Sequence, residues 1–194
     1  MNRDGNFLTM KLSEAAHAFT GGAVFTAFDI ETTGLNPELD KIAEIGAIKF
    51  DNRGIIARFS TLINPGIPMP PEAGKVNNIS DEMLAGKPSI GEVLPDFLQF
   101  INNSVLIAHN APFDCGFINH QLGERSLPGL TNTMADTLVC SREAFPGLRS
   151  YSLQNLARDL GISSADAHRA EDDARLCMEI FLCCLGLRNN SRKL

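Results

Sequence analysis

The sequence predicts one α/β domain built on a mixed β-sheet, and three observations predict it. Residues 23–31 alternate in side-chain facing as a strand does, with Val24, Thr26, Phe28 and Ile30 on one face and Phe25, Ala27, Asp29 and Glu31 on the other. Two further β-rich runs, residues 42–50 and 55–63, are joined by Asp51-Asn52-Arg53-Gly54, a turn signal that makes them a hairpin. Beyond them helical and short apolar strand patterns alternate, the order that lays helices on a sheet. The 194 residues are 44% hydrophobic, enough for one core. Residues 1–22 are assigned to an N-terminal lead-in, 23–187 to the domain and 188–194 to a short polar tail.

Each element has its local reason. Within the lead-in, residues 12–19 can form a short helix. Pro65, Pro68, Pro70 and Pro71 predict an extended loop over residues 64–71. Ser80-Asp81-Glu82 opens a short helix. Ser89 with Glu92 three residues on forms a capping box for the next one, which carries Val93, Phe97 and Ile101 at helical spacing. Residues 105–108 are a short buried strand. Pro112 suits the first turn of a helix running to Leu122, with Gly123 as its stop. Residues 134–138 predict another strand. Leu153, Leu156, Ala157 and Leu160 form an apolar stripe between Ser152 and Gly161, and a last helix covers residues 169–185.

Composition excludes several classes. Five cysteines (Cys115, Cys140, Cys177, Cys183, Cys184) contain no C-x-x-C pair, and an odd number completes no disulfide framework. Reduced thiols packed as small hydrophobes are the expectation. No apolar run reaches membrane-spanning length and no signal-peptide stretch opens the chain, so no membrane partner and a cytoplasmic location are expected. The net charge of −6, from 17 Lys+Arg against 23 Asp+Glu, runs against a nucleic-acid binder unless the excess acid holds cations.

Three acidic motifs answer that objection. Asp29 and Glu31 end the first strand two residues apart, so both carboxylates leave one face, an arrangement that cations relieve. His109-Asn110-Ala111-Pro112-Phe113-Asp114 follows a buried strand and puts Asp114 in the first turn of a helix. His168-Arg169-Ala170-Glu171-Asp172-Asp173 enters the last helix, with His168 and Asp173 five positions apart and able to reach one cleft. Asp29, Glu31, Asp114 and Asp173 together are four hard oxygen donors, suited to Mg²⁺ or Mn²⁺. Two such ions can clamp a phosphodiester for in-line attack, and a histidine titrating near neutrality is a natural general base.

FDIETTG, HNAPFD and HRAEDDA resemble the three motifs of the DnaQ-like DEDD exonucleases. That family includes the proofreading epsilon subunit of bacterial DNA polymerase III, RNase T and oligoribonuclease. The histidine five residues before the last aspartate resembles the DEDDh branch. The resemblance covers residues 24–185. It implies a ribonuclease H-like mixed sheet flanked by helices, and two-cation 3′→5′ hydrolysis releasing nucleoside 5′-monophosphates. By the same resemblance Asp29, Glu31, Asp114 and Asp173 are metal ligands and His168 is the base. Thr32, Thr33, Gly34 and Leu35 form the loop at the terminal nucleotide, with Gly34 allowing close approach and Leu35 wedging against the base. His109, Asn110 and Phe113 flank the scissile region. One departure is Val76-Asn77-Asn78-Ile79-Ser80, where relatives read close to V-H-G-I-T; it is assigned to a surface loop beside the substrate groove.

The implied substrate is the 3′ end of a single strand, DNA favoured and RNA allowed, with a polymerase or a second copy of the chain as further partners. No Gln-led hydrophobic clamp-binding motif accompanies the domain, so a stand-alone enzyme resembling the epsilon subunit is expected. A non-catalytic subunit would lack one of the five key residues, and all five are present. An endonuclease of the same fold would cut a circle; an exonuclease needs an end.

Overall fold

The computed structural model describes residues 8–164 and 169–187. His168 and residues 188–194 lie outside them. The strands are β1 (Leu8–Thr9), β2 (Phe25–Thr32), β3 (Ile42–Asp51), β4 (Gly54–Leu62), β5 (Val105–Ala108) and β6 (Thr133–Asp136). They form one sheet in the order β1-β6-β5-β2-β3-β4. β2, β3 and β4 are antiparallel, whereas β1, β6, β5 and β2 run parallel. The mixed α/β architecture matches the predicted fold class.

The helices are α1 (Leu12–Thr20), α2 (Pro71–Asn77), α3 (Asp81–Leu84), α4 (Ile90–Ile101), α5 (Ala111–Glu124), α6 (Thr137–Ala144), α7 (Leu153–Asp159) and α8 (Ala170–Cys184). The alternation of β2 assigns its side chains to two layers. Phe25 and Ala27 join α1, α7 and α8 in one core, where Phe19, Phe25, Phe50 and Phe181 cluster with ring centroids 5.3–6.4 Å apart. Phe28 and Ile30 join α4 and α5 in the other, with Phe97 5.8 Å from Phe28. Asp29 and Glu31 continue the face covered by α8. All five cysteines are free and buried, as the apolar reading expects. Among the described residues no helix is long and apolar enough to cross a membrane.

Several local expectations need correction. The proline-rich run is extended only as far as Pro70, because Pro71 starts α2 at the first-turn position proline favours. Val76 and Asn77 are therefore the last turn of a helix rather than a loop. Asn77 is buried, and Asn78 caps the helix at φ 55°, the left-handed region that asparagine tolerates. Gly123 does not stop α5. It stays helical, and the backbone turns at Ser126, φ 55°. The strand expected over 134–138 ends at Asp136, whose carboxylate accepts the Leu138 N–H at 2.8 Å and starts α6.

The start of α8 is fixed by β3. Asp29 is paired across the sheet with Gly46, and Glu31 with Glu44. A Cβ on Gly46 would collide with the Ala170–Glu171 peptide, so only glycine lets the helix end rest on the strand. Glu44, almost wholly buried, accepts two bonds from Arg169, 2.7 and 3.1 Å, and a third from the Ala170 N–H at 3.2 Å.

Candidate active site

The seating of α8 brings Asp173 to the end of β2. One carboxylate oxygen from each of Asp29, Glu31 and Asp173 lies within 4.8 Å of the other two. Asp114 reaches the same strand from α5, where its Oδ1 accepts the Ile30 N–H at 3.2 Å. The Gln154 side chain donates to Asp173 Oδ1 at 2.9 Å.

Four acids at the end of a buried strand repel one another. Burial first, and then the charges of Asp114, Glu31 and Asp173, drive the Asp29 carboxyl well above its usual range. Burial, with Asp173 and Glu44 next in weight, raises Glu31 to about 8. Asp114 is also raised to about 8, mainly by burial. Protons or cations must therefore occupy this cluster near neutrality. Three convergent hard oxygens fit a divalent cation of the Mg²⁺ or Mn²⁺ class.

Beside Glu31 opens a mainly apolar cavity of about 440 Å³, lined among others by Ile30, Thr33, Leu35, Val76, Asn77 and Phe113. Leu35 is 84% exposed at its rim. Phe113 packs against Phe117 with the rings tilted at 53° and centroids 5.2 Å apart. Thr32 donates its hydroxyl to the Gly34 carbonyl at 2.6 Å, and the Thr33 hydroxyl accepts the Lys41 N–H at 2.9 Å, so the loop is internally braced. The Cβ direction of Gly34 is filled by the Asp40 carboxylate, an internal reason for glycine there. Asn77 donates to the Thr32 carbonyl at 3.3 Å and ties α2 to this loop.

His109 stands apart from the acids. Its Nε2–H donates to the Tyr151 carbonyl at 2.8 Å, and its Nδ1 lies 2.9 Å from the Thr137 hydroxyl. Burial lowers its pKa below the usual 6.5, which keeps the ring neutral, so Nδ1 is the acceptor. Asn110 is exposed and left-handed, φ 65°. It precedes α5, and its N–H goes to Asp136 Oδ1 at 3.0 Å. His168 falls outside the described residues.

Sequence reasoning did not single out Gln154, Asp136 or Glu44, and it set Val76 and Asn77 beside the substrate groove but in a loop rather than on α2. Two carried a signal. Glu44 is the lone acid in the apolar run IAEIGAI, and Asp136 sits at a strand end before a helix.

Comparison with known proteins agrees with this geometry. Residues 26–181 match the exonuclease family model named for RNase T. The DNA polymerase III subunit epsilon of Treponema pallidum is 52% identical over 159 residues, 81% of this chain and 74% of that protein. Exonuclease X, solved in complex with 5′-overhanging duplex DNA, superposes with a TM-score of 0.66 at 27% identity, covering 84% of this chain and 91% of that one. Exonuclease I shares the fold, with a TM-score of 0.72 at 19% identity over 82% of this chain and 40% of its own. With the sheet order, the convergent acids and these relatives in agreement, the chain belongs to the DnaQ-like exonuclease family and has its ribonuclease H-like fold.

Proposed function

We propose that this exonuclease degrades single-stranded DNA from the 3′ end, releasing nucleoside 5′-monophosphates with two divalent cations, and that His168 is its general base. The observation that carries the reading is the convergence of Asp29, Glu31 and Asp173 beside an apolar cavity with Leu35 at its mouth. Bound cations would supply the activation of water and the charge neutralisation that phosphodiester cleavage requires.

The chain's own residues set up the rest. Asp29, central among the acids, is the candidate shared ligand, with Glu31, Asp114 and Asp173 around it. The apolar cavity suits an unpaired terminal base, stacked on Leu35 and Phe113 and kept out of water. Thr32, Thr33 and Gly34 present backbone to its sugar. DNA is favoured because the epsilon relative is a DNA polymerase subunit and exonuclease X was solved with duplex DNA bound. Polymerase association is a property of the epsilon relative and a proposal for this chain.

The test is a strand labelled at its 5′ end. It should shorten as a ladder in Mg²⁺ or Mn²⁺, stop in EDTA, and resume when metal is restored. A labelled mononucleotide released at once would show the opposite polarity, and full activity after exhaustive chelation would remove the cation mechanism. Matched DNA and RNA oligonucleotides decide the sugar preference.

A further inference from the structure

We propose that Arg142 and Arg149 form a phosphate-binding station for the strand on the 5′ side of the scissile bond. The proposal rests on the 3′-end reading above and adds to it the path of the remaining strand.

Eight of the eleven arginines fall among the described residues. Arg53, Arg58, Arg125, Arg158, Arg169 and Arg175 each have a carboxylate within 3.8 Å. Arg142 and Arg149, both exposed, have no such partner among the described residues. These two line one cavity of about 550 Å³, together with His109, Asn110, Ser150 and Ser152. In a chain of net charge −6, pairing off every other described arginine and gathering the remaining two in one cavity concentrates positive potential there.

The cavity is built rather than incidental. Tyr151, which also lines it, is fixed at both ends: its hydroxyl donates to the Phe145 carbonyl at 2.7 Å and its own carbonyl receives the His109 Nε2–H at 2.8 Å. The Arg142 guanidinium lies over the Tyr151 ring, 5.8 Å from its centroid, an arrangement that orients the fork without consuming its donors. Two guanidinium forks with the Ser150 and Ser152 hydroxyls match the oxygens of a phosphodiester backbone.

Its location gives the direction of the strand. Ser152 caps α7, and Gln154 of that helix holds Asp173. His109 and Asn110 lead into α5, which carries Phe113 and Asp114. The same two helices, α5 and α7, that reach the acids through Asp114 and Gln154 thus start at residues of the cationic cavity, while Glu31 borders the apolar one. The apolar one, bordered by Glu31, suits a base; the cationic one suits phosphates. A terminal nucleoside in the first leaves the preceding backbone to the second.

The experiment separates this from the cleavage reading by measuring binding without turnover. In EDTA, fluorescence anisotropy with a 5′-labelled oligodeoxythymidylate should show Kd rising about 10- to 100-fold for the Arg142→Ala/Arg149→Ala pair. The slope of log Kd against log salt should become shallower by about 1.4, for two lost contacts to a single strand. In Mg²⁺, hydrolysis of the p-nitrophenyl ester of thymidine 5′-monophosphate, which has no upstream phosphate, should be unchanged. Neutral methylphosphonate linkages 5′ of the scissile bond should weaken the parent enzyme and leave the double variant indifferent, a readout that needs no stable alanine variant in its first arm. Parental affinity and salt slope in the double variant, or an equal loss on the ester, would overturn the proposal. A parent enzyme that binds the strand through these arginines and cleaves neither substrate would overturn the 3′-end reading and leave the station standing.

Discussion

Arg169 and Glu44 clasp each other through two hydrogen bonds, 2.7 and 3.1 Å, across the seam where the last helix meets the sheet. Glu44 is 1% exposed, so Arg169 and the Ala170 N–H stand in for the water it has lost. Removing one member of a fully buried pair typically costs about 3–5 kcal/mol. The Arg169 side chain is 41% exposed and water screens part of the charge, so Arg169→Leu should lose less than that by urea denaturation. Because α8 carries Asp173, kcat should fall even where the variant remains folded. Glu44→Gln, which retains an acceptor, should do less harm on both counts. Equal stability of Arg169→Leu and the parent would show that the pair does not secure the helix.

Asp136 acts on two helices at once. Its Oδ1 accepts the N–H groups of Asn110 and Leu138 at 3.0 and 2.8 Å, and its Oδ2 accepts that of Ala111 at 3.2 Å. An N-cap lost to alanine costs about 0.5–2 kcal/mol. Asp136→Ala should cost more than a single cap, whereas Asp136→Asn keeps the Oδ1 bonds and should cost less. Thermal melts of the two variants test the order, and the reverse order would mean that charge rather than capping is what Asp136 contributes.

Stability should fall with rising pH when no divalent cation is present. Glu31 and Asp114 are raised to about 8 from ordinary values of 4.5 and 3.8, both mainly by burial. Between those limits the folded chain holds more protons than the unfolded one, so the slope of unfolding free energy against pH is negative. Tm in EDTA should be lower near pH 8 than near pH 5, and Mg²⁺ should raise it most at the alkaline end. A Tm in EDTA that climbs over this range would contradict the raised carboxyls.

The two motif histidines should behave differently. Burial lowers the His109 imidazole pKa, so by NMR it should titrate at lower pH than an exposed histidine. His168, read from sequence as the base, should account for the acidic limb of the pH–rate profile. His168→Ala should cost about 10²–10⁴-fold in kcat, with cation binding by calorimetry little changed. Near-normal turnover with lost cation affinity would instead make His168 a ligand.

The sheet and the first pair of acids were legible because they follow from local pattern. The facing of residues 23–31 already puts Asp29 with Glu31, and the Asp51–Gly54 turn already pairs β3 with β4. Asp114 and Asp173 were legible as helix-start acids, but spacing alone does not say where those helices land. That depends on Gly46 and Glu44, more than a hundred residues from Asp173 along the chain. α2 was hidden because proline reads as a loop residue when its helical first-turn role is not considered. α6 was hidden because Asp136 ends a strand and starts a helix at one residue. The cationic cavity had no motif at all, since what distinguishes Arg142 and Arg149 is the pairing of every other described arginine.

The bare backbone of Gly46 offers a handle on the enzyme that removes none of its functional side chains. One methyl group there would wedge between strand and helix and carry Asp173 away from Asp29, while all four carboxyl groups remain in the chain. Removing an acid, by contrast, lightens the charge that a phosphate must approach. A Gly46→Ala chain is thus a design for a substrate trap: a protein that holds a native strand uncut, for capture in a stalled complex.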